Sequence, residues 1–275
     1  MPLYIVSPMV YNYSIYNSVS ENDKMHILIA NDDGIFAPGI RALAKAAKAA
    51  GHRVTVFAPD SQRSAASHAF TLKKPLRATH VEYEDGVTAY AVDGTPADCV
   101  RLGLYLTRED GVDCVLSGIN NGSNRGAAIL YSGTVGAALE GSLCGVPSLA
   151  VSLCGYLDRG FEPAAQLGVR TMEWAMKHPL PRGEVYNLNV PYGVEVKGVK
   201  SATVSYEFIT EALYDELPDG SYVTRDADEG LPETDENSDL NVTNDGYASL
   251  SIITWNMLSN TPMPSLKDLN GEAAG

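Results

Sequence analysis

From Met25 onward, apolar and polar positions alternate in blocks of regular length. Ile27 to Ala30 is an unbroken apolar run closed by Asn31-Asp32-Asp33-Gly34; Pro38 to Ala50 follows, then Gly51, then a second apolar run from Val54 to Ala58. The order reads as strand, loop, helix opened near Pro38 and closed at Gly51, strand. Two short strands joined by a crossover helix form a parallel pair with a right-handed connection, the unit of doubly wound sheets. Leu76 to Val92 alternates around Asp85-Gly86, which predicts a hairpin. A helix then starts at Thr95, with Thr95 as N-cap, Pro96 at the first helical position and Asp98 near the positive end of the helix dipole. Further along come a buried strand at Val112 to Leu116, a helix at Thr134 to Cys144 and a strand at Ser148 to Leu153. A helix near Pro163 to Met176 and a strand near Val185 to Val190 continue the alternation, and strand-like runs recur around Val199 to Tyr206 and Tyr247 to Trp255. The expected fold is α/β: a Rossmann-like, mostly parallel sheet with flanking helices.

The flanks of this pattern differ from its centre. Residues 1–24 are rich in Tyr, Asn and Ser and show no period, so they are expected to form an extension outside the fold. The catalytic core is expected over 25–198, and a C-terminal arm with a terminal strand and tail over 199–275. Between Glu207 and Asp245 there are 13 Asp or Glu against Arg225 alone, which concentrates most of the net charge of −14 in one stretch. An extended arm or hairpin fits there better than a second core. The remainder is nearly neutral and offers no basic track for a polyanion, so a nucleic-acid polymer is not expected as partner. The four cysteines form no C-x-x-C pair, and three of them sit in apolar runs, as reduced thiols do. No apolar run approaches the ~20 residues that span a bilayer, and the first Lys or Arg is Lys24. A cytoplasmic protein without a membrane partner is expected.

In open parallel sheets, ligands lie at the carboxyl ends of the strands. The segments there are Asn31-Asp32-Asp33-Gly34, Asp60 to Ser67, and Ser117-Gly118-Ile119-Asn120-Asn121-Gly122-Ser123-Asn124. Two adjacent carboxylates at a buried strand end repel each other unless a cation offsets them. Carboxylate, amide and hydroxyl oxygens are hard ligands that suit Mg²⁺, Mn²⁺ or Ca²⁺, whereas zinc draws on His and Cys; His68 is the only histidine near these loops. Tyr131-Ser132-Gly133-Thr134-Val135-Gly136 then opens a helix with free amides, a glycine and two hydroxyls, which can hold an anion. Each motif alone has a structural explanation as a helix cap or tight turn. Together they form a carboxylate–cation cluster beside an anion pocket, as phosphoryl transfer requires.

These residues resemble the SurE family, metal-dependent 5'- and 3'-nucleotidases. The resemblance rests on Ile27 to Ile35, Ala37-Pro38-Gly39-Ile40, Ala58-Pro59-Asp60 with Arg63-Ser64, Gly94 to Val100, Ser117-Gly118-Ile119-Asn120, Gly122, Asn124, Gly126, Tyr131 to Val135 and Glu140-Gly141. It is dense from Met25 to about Leu153, thinner through Asn189-Val190-Pro191 and faint at Gly246-Tyr247. It implies one divalent cation per subunit, Mg²⁺ or Mn²⁺, held by Asp32, Asp33, Ser64 and Asn120. It also implies homodimers or homotetramers that exchange C-terminal segments. Two departures stand out: Ala65, where many members have glycine, and Ala248-Ser249-Leu250-Ser251, where a Val-Ser-Ile-Thr-Pro-like strand is usual.

The function so implied is hydrolysis of nucleoside 5'-monophosphates, with 3'-monophosphates and short polyphosphate as further substrates. Water activated by the cation would attack in line, Asp32 or Asp33 would take the proton, and Ser132, Gly133 and Thr134, with Asn124 nearby, would hold the phosphate oxygens. An Asp acting as covalent nucleophile is the chemical alternative. A phospho-acceptor receiver domain binding Mg²⁺ also has an acidic pair after its first strand, but it needs an Asp at the end of a later central strand, where this chain has Ser117-Gly118-Ile119-Asn120. A dinucleotide-binding oxidoreductase needs a glycine-rich turn where Asp32 and Asp33 stand.

Overall fold

The computed structural model describes residues 24–84, 86–205, 213–225 and 233–256. The N-terminal extension (Lys24 apart), Asp85, the parts of the acidic stretch at 206–212 and 226–232, and the tail from 257 lie outside the described residues. Along the chain run β1 (His26–Ala30), α1 (Pro38–Ala49), β2 (Arg53–Pro59), β3 (Ala78–Val81), β4 (Thr88–Val92), α2 (Pro96–Leu106), β5 (Cys114–Asn121), α3 (Ala128–Tyr131) and α4 (Gly133–Leu143). They are followed by β6 (Ser148–Cys154), α5 (Glu162–Met176), β7 (Glu184–Pro191), β8 (Val199–Ser201), β9 (Leu213–Glu216), β10 (Tyr222–Arg225), α6 (Asp239–Asn244) and β11 (Ala248–Thr254).

Nine strands form one sheet in the order β3-β4-β2-β1-β5-β6-β7-β11-β8. From β4 to β7 every pairing is parallel; β3 runs antiparallel to β4, and β11 antiparallel to β7. The central strands read as unbroken apolar runs because helices cover both faces. Successive side chains alternate between the faces: Ile27 and Ile29 pack with Ile40 and Leu43 of α1 and Met172 of α5, whereas Leu28 packs with Phe57, Val100 and Leu104 on the α2 side. Leu43 is fully buried, so its truncation to alanine would cost about 2–5 kcal/mol. At the start of α2, Thr95 Oγ1 accepts from Asp98 N (3.2 Å) and Asp98 Oδ2 accepts from Thr95 N (2.9 Å), the reciprocal cap expected there.

Three expectations need correction. The strand expected to end at Leu116 continues to Asn121, with a register shift against β6 between Ser117 and Asn120. Gly118 makes this possible: its φ is 139°, and a Cβ there would lie 2.3 Å from the Val151 carbonyl oxygen. Of the run expected from Val199 to Tyr206, Val199–Ser201 forms β8, 202–205 lie outside it and Tyr206 is not among the described residues; α6 forms within the acidic stretch, capped by Ser238 Oγ accepting from Asn241 N (3.2 Å). The boundary expected between 198 and 199 falls inside the main sheet, since β11 pairs along its length with β7 and carries β8 on its other side. The hairpin β9–β10 forms a separate two-stranded sheet. All four cysteines are free, and among the described residues no helix is long and apolar enough to cross a membrane.

Candidate active site

β1 lies between β2 and β5. The connection leaving β1 packs α1 on one face, and the connection leaving β5 leads to α4 on the other, so the two loops part at the carboxyl ends of these strands. That divergence is the topological switch point where open α/β sheets bind ligands. A cleft of about 260 Å³ opens there. Asp32, Asp33, Ser64, Asn120, Asn124 and Ser132 all line it. Gly133 and Thr134 do not.

The loop after β1 is held in shape by Asn31, which bonds both the amide (3.2 Å) and the carbonyl (3.0 Å) of Gly34. Asp32 is thereby turned inward and buried. Its Oδ1 accepts from Thr134 Oγ1 at 2.7 Å and its Oδ2 from Thr134 N at 3.2 Å. Gly133 permits this approach, because a Cβ there would stand 2.8 Å from Asp32 Cβ. The anion bound by the N-terminus of α4 is therefore the carboxylate of Asp32. Thr134, expected at the phosphate, is fully buried, with its hydroxyl and amide both bonded to Asp32. Ser132 does face the cleft. Its Oγ accepts from Val135 N (3.0 Å), which leaves the hydroxyl proton to donate.

Asp33 Oδ2 accepts from Asn121 N at 3.0 Å. Burial pushes its carboxyl up to about 6; the Asn121 amide opposes the shift and the neighbouring Asp32 charge adds to it. Burial likewise raises Asp32, against the pull of its bonds to Thr134. Asn120 donates Nδ2 to the Gly122 carbonyl (2.8 Å), leaving its oxygen as the group a cation can use. Asn124 lines the cleft; one of its two Nδ2 protons goes to Ser152 Oγ (2.8 Å), which leaves the second for another acceptor. Its backbone is bracketed by Asn187 and Asn189: N donates to Asn189 Oδ1 (2.8 Å), and O accepts from both side-chain amides. Asp239 fastens the next turn, accepting from Gly126 N (3.1 Å) and from Ser205 N (3.0 Å).

The third segment of the site joins the first through Arg63 N, which donates to the Asp32 carbonyl at 2.7 Å, and Ile35 N, which donates to the Pro59 carbonyl at 2.8 Å. Ser64 lies exposed at the cleft, with Oγ accepting from Gln62 Nε2 (2.9 Å). Ala65 next to it has φ 56°, in the left-handed region that glycine enters freely and alanine resists. Here the departure noted in the sequence acquires a physical meaning: Ala65 takes up a glycine's conformation. Ser67 secures the loop by donating Oγ to the Leu130 carbonyl (2.7 Å) and N to the Tyr131 carbonyl (2.9 Å).

The donor set fits a hard divalent cation. Two carboxylates raised by burial gain from an adjacent positive charge, and Ser64 and Asn120 add neutral oxygens. None of the residues lining the cleft is Lys, Arg or His, and among the described residues no cluster of three or more His, Cys, Asp or Glu that could hold a metal is present. Such oxygen ligation suits hard cations such as Mg²⁺, Mn²⁺ or Ca²⁺ better than zinc. Gln62, Asn121, Tyr131 and Tyr156 also line the cleft, although the motifs did not single them out for it. One signal was available for the support behind it: Asn187 and Asn189 alternate within an apolar strand, and buried amides require partners.

A model of the family described as "Survival protein SurE" matches residues 27–211. The 5'-nucleotidase SurE of Synechococcus sp. (strain JA-3-3Ab) is 41% identical over 251 residues, covering 88% of this chain and 96% of that protein. The protein of the same description from Nostoc sp. (strain PCC 7120 / SAG 25.82 / UTEX 2576) is 49% identical over 180 residues, 64% of this chain and 68% of that relative. Among solved structures, the SurE protein from Aquifex aeolicus has a TM-score of 0.76 at 34% identity, covering 89% of this chain and 99% of that one.

Proposed function

Because this chain belongs to the SurE family, we propose that it is a divalent-cation-dependent 5'-nucleotidase, a phosphomonoesterase that releases phosphate from nucleoside 5'-monophosphates. The observation that carries the reading is the Asp32–Asp33 pair at the switch point, in a cleft lined by no basic side chain. A phosphate dianion entering that cleft needs a positive charge the lining does not supply. Asp32, Asp33, Ser64 and Asn120 would hold the cation, which when bound polarises a phosphoryl oxygen and acidifies water.

The protein's own groups supply position and proton transfer. Thr134 orients Asp32, and the Asn121 amide orients Asp33. Without the cation, burial holds the Asp33 carboxyl at about 6; a bound cation would lower it, leaving Asp33 ionised at neutral pH and able to accept a proton. The Ser132 hydroxyl donates to a phosphate oxygen as charge develops. The receiver alternative lacks its acceptor: the acidic residue of this region, Asp113, precedes β5 at the opposite end, where its Oδ2 accepts from His26 N at 2.7 Å.

The test is a panel of nucleoside 5'- and 3'-monophosphates and short polyphosphate, assayed with chelator and with Mg²⁺ or Mn²⁺ restored. Turnover of 5'-monophosphates that vanishes in chelator, returns with the cation and is lost in Asp32→Asn is expected. Full turnover of Asp32→Asn in chelator would refute the reading.

We also propose assembly as a homodimer or homotetramer through the C-terminal region. The hairpin β9–β10 stands outside the main sheet and exposes Tyr214, Leu217, Tyr222 and Val223. A lone two-stranded hairpin is marginal in water, so it gains from packing on a neighbouring subunit.

A further inference from the structure

Tyr156, on the loop after β6, lines the cleft yet is 84% exposed, more than any other large hydrophobic side chain among the described residues. An aromatic ring so little covered contributes almost nothing to the core. The ring is nevertheless held in place. It passes over Gly122, where a Cβ would come within 2.9 Å of Tyr156 Cε1. The following residue is clamped by Asn121, whose Oδ1 accepts from Leu157 N and whose Nδ2 donates to Leu157 O, both at 2.7 Å. Tyr192 backs the loop, lying 3.3 Å from where a Cβ on Gly155 would be.

Asn121 is also the residue whose backbone amide holds Asp33. One residue thus sets the distance between an open aromatic face and the carboxylate of the reacting centre. We propose that Tyr156 is the stacking platform for the base of the bound nucleotide and so sets preference for nucleotides over other phosphomonoesters; this rests on the nucleotidase reading above. Stacking on an aromatic face tolerates every base, since each has a π-face, and it favours the larger purine surface. The expected specificity is broad across bases, with purines bound more tightly.

The measurement is the ratio of kcat/KM for a purine nucleoside 5'-monophosphate to kcat/KM for ribose 5-phosphate, which carries the same phosphate and sugar without a base. Tyr156→Ala should lower that ratio roughly fivefold to a hundredfold, chiefly through the nucleotide KM, and Tyr156→Phe should retain most of it. An equal loss toward both substrates would make Tyr156 a structural residue and overturn the proposal, as would an unchanged ratio. A wild-type enzyme that hydrolyses ribose 5-phosphate but no nucleotide would instead overturn the nucleotidase reading, and the stacking role with it.

Discussion

Replacing Thr134 by valine removes one hydroxyl from a fully buried position and leaves the shape of the side chain nearly unchanged. The bond lost is the 2.7 Å contact from Oγ1 to Asp32 Oδ1, while the 3.2 Å bond from Thr134 N remains. A hydrogen bond to a charged group is worth about 1.5–3 kcal/mol. Because the bond favours the ionised carboxylate, its loss moves the already raised Asp32 carboxyl further up. A cation that competes with the proton for this carboxylate is then at a disadvantage. Its apparent affinity should fall by about tenfold to 150-fold near neutral pH. The assay titrates Mg²⁺ or Mn²⁺ calorimetrically and, in parallel, as the activator of phosphate release at saturating nucleotide, with the melting temperature as a control for folding. Thr134→Ser should recover most of the affinity. A raised KM for the nucleotide with an unaltered cation requirement would refute this reasoning and return Thr134 to the phosphate site.

Asp33 provides a pH test. Its carboxyl, ordinarily at 3.8, lies at about 6 in the fold, so between those values the folded protein holds a proton that the unfolded chain has lost. Chelated protein should therefore lose about 1–2 kcal/mol of stability as pH rises from about 4 to about 6, after allowing for solvent screening at this partly exposed group. Denaturant melts should show that slope flattened in Asp33→Asn and offset by saturating Mg²⁺; identical slopes in both proteins would count against it. Ala65→Gly relieves a left-handed alanine worth about 1 kcal/mol, partly cancelled by the freer unfolded chain, so the melting temperature should hold or rise slightly, and a fall of several degrees would contradict the strain. Deleting β9–β10 with a short linker should yield a smaller species by light scattering; a monomer for the intact chain at micromolar concentration would rule out the assembly.

Apart from α3 and the end of β5, the strands and helices up to residue 191 were legible because each central strand is buried on both faces and each of the other helices carries a start or stop signal, such as Pro38, Thr95 or Gly51. Asp32, Asp33 and Asn120 were legible for a related reason: polar residues at the ends of apolar strands have few explanations. What each of them bonds was not. Thr134 and Asp32 are 102 positions apart, and only the fold shows that the helix N-terminus serves a carboxylate of the same chain. The extension of β5 through Asn121 was hidden because Gly118 and the polar residues after it read as a turn, whereas the close approach to Val151 is a tertiary fact. Helix α6 was hidden by its composition, Asp-Leu-Asn-Val-Thr-Asn, whose residues favour turns until Ser238 caps them.

The link from Asp239 to Gly126 has a consequence for the making of the protein. Every residue proposed to hold the cation lies within the first 120 positions, yet the turn behind Asn124 is fastened by a carboxylate translated more than a hundred residues later. On a ribosome, β1 to β7 emerge first, with the edge of β7 open until β11 arrives to cover it. At about 5–20 residues per second, the interval from Pro191 to Thr254 lasts roughly 3 to 13 seconds. For that time the nascent chain carries an unpaired, largely apolar strand edge, the kind of surface that recruits chaperones or other chains. The acidic stretch is synthesised within the same interval, so the growing chain acquires its strongest negative charge while its sheet is still open.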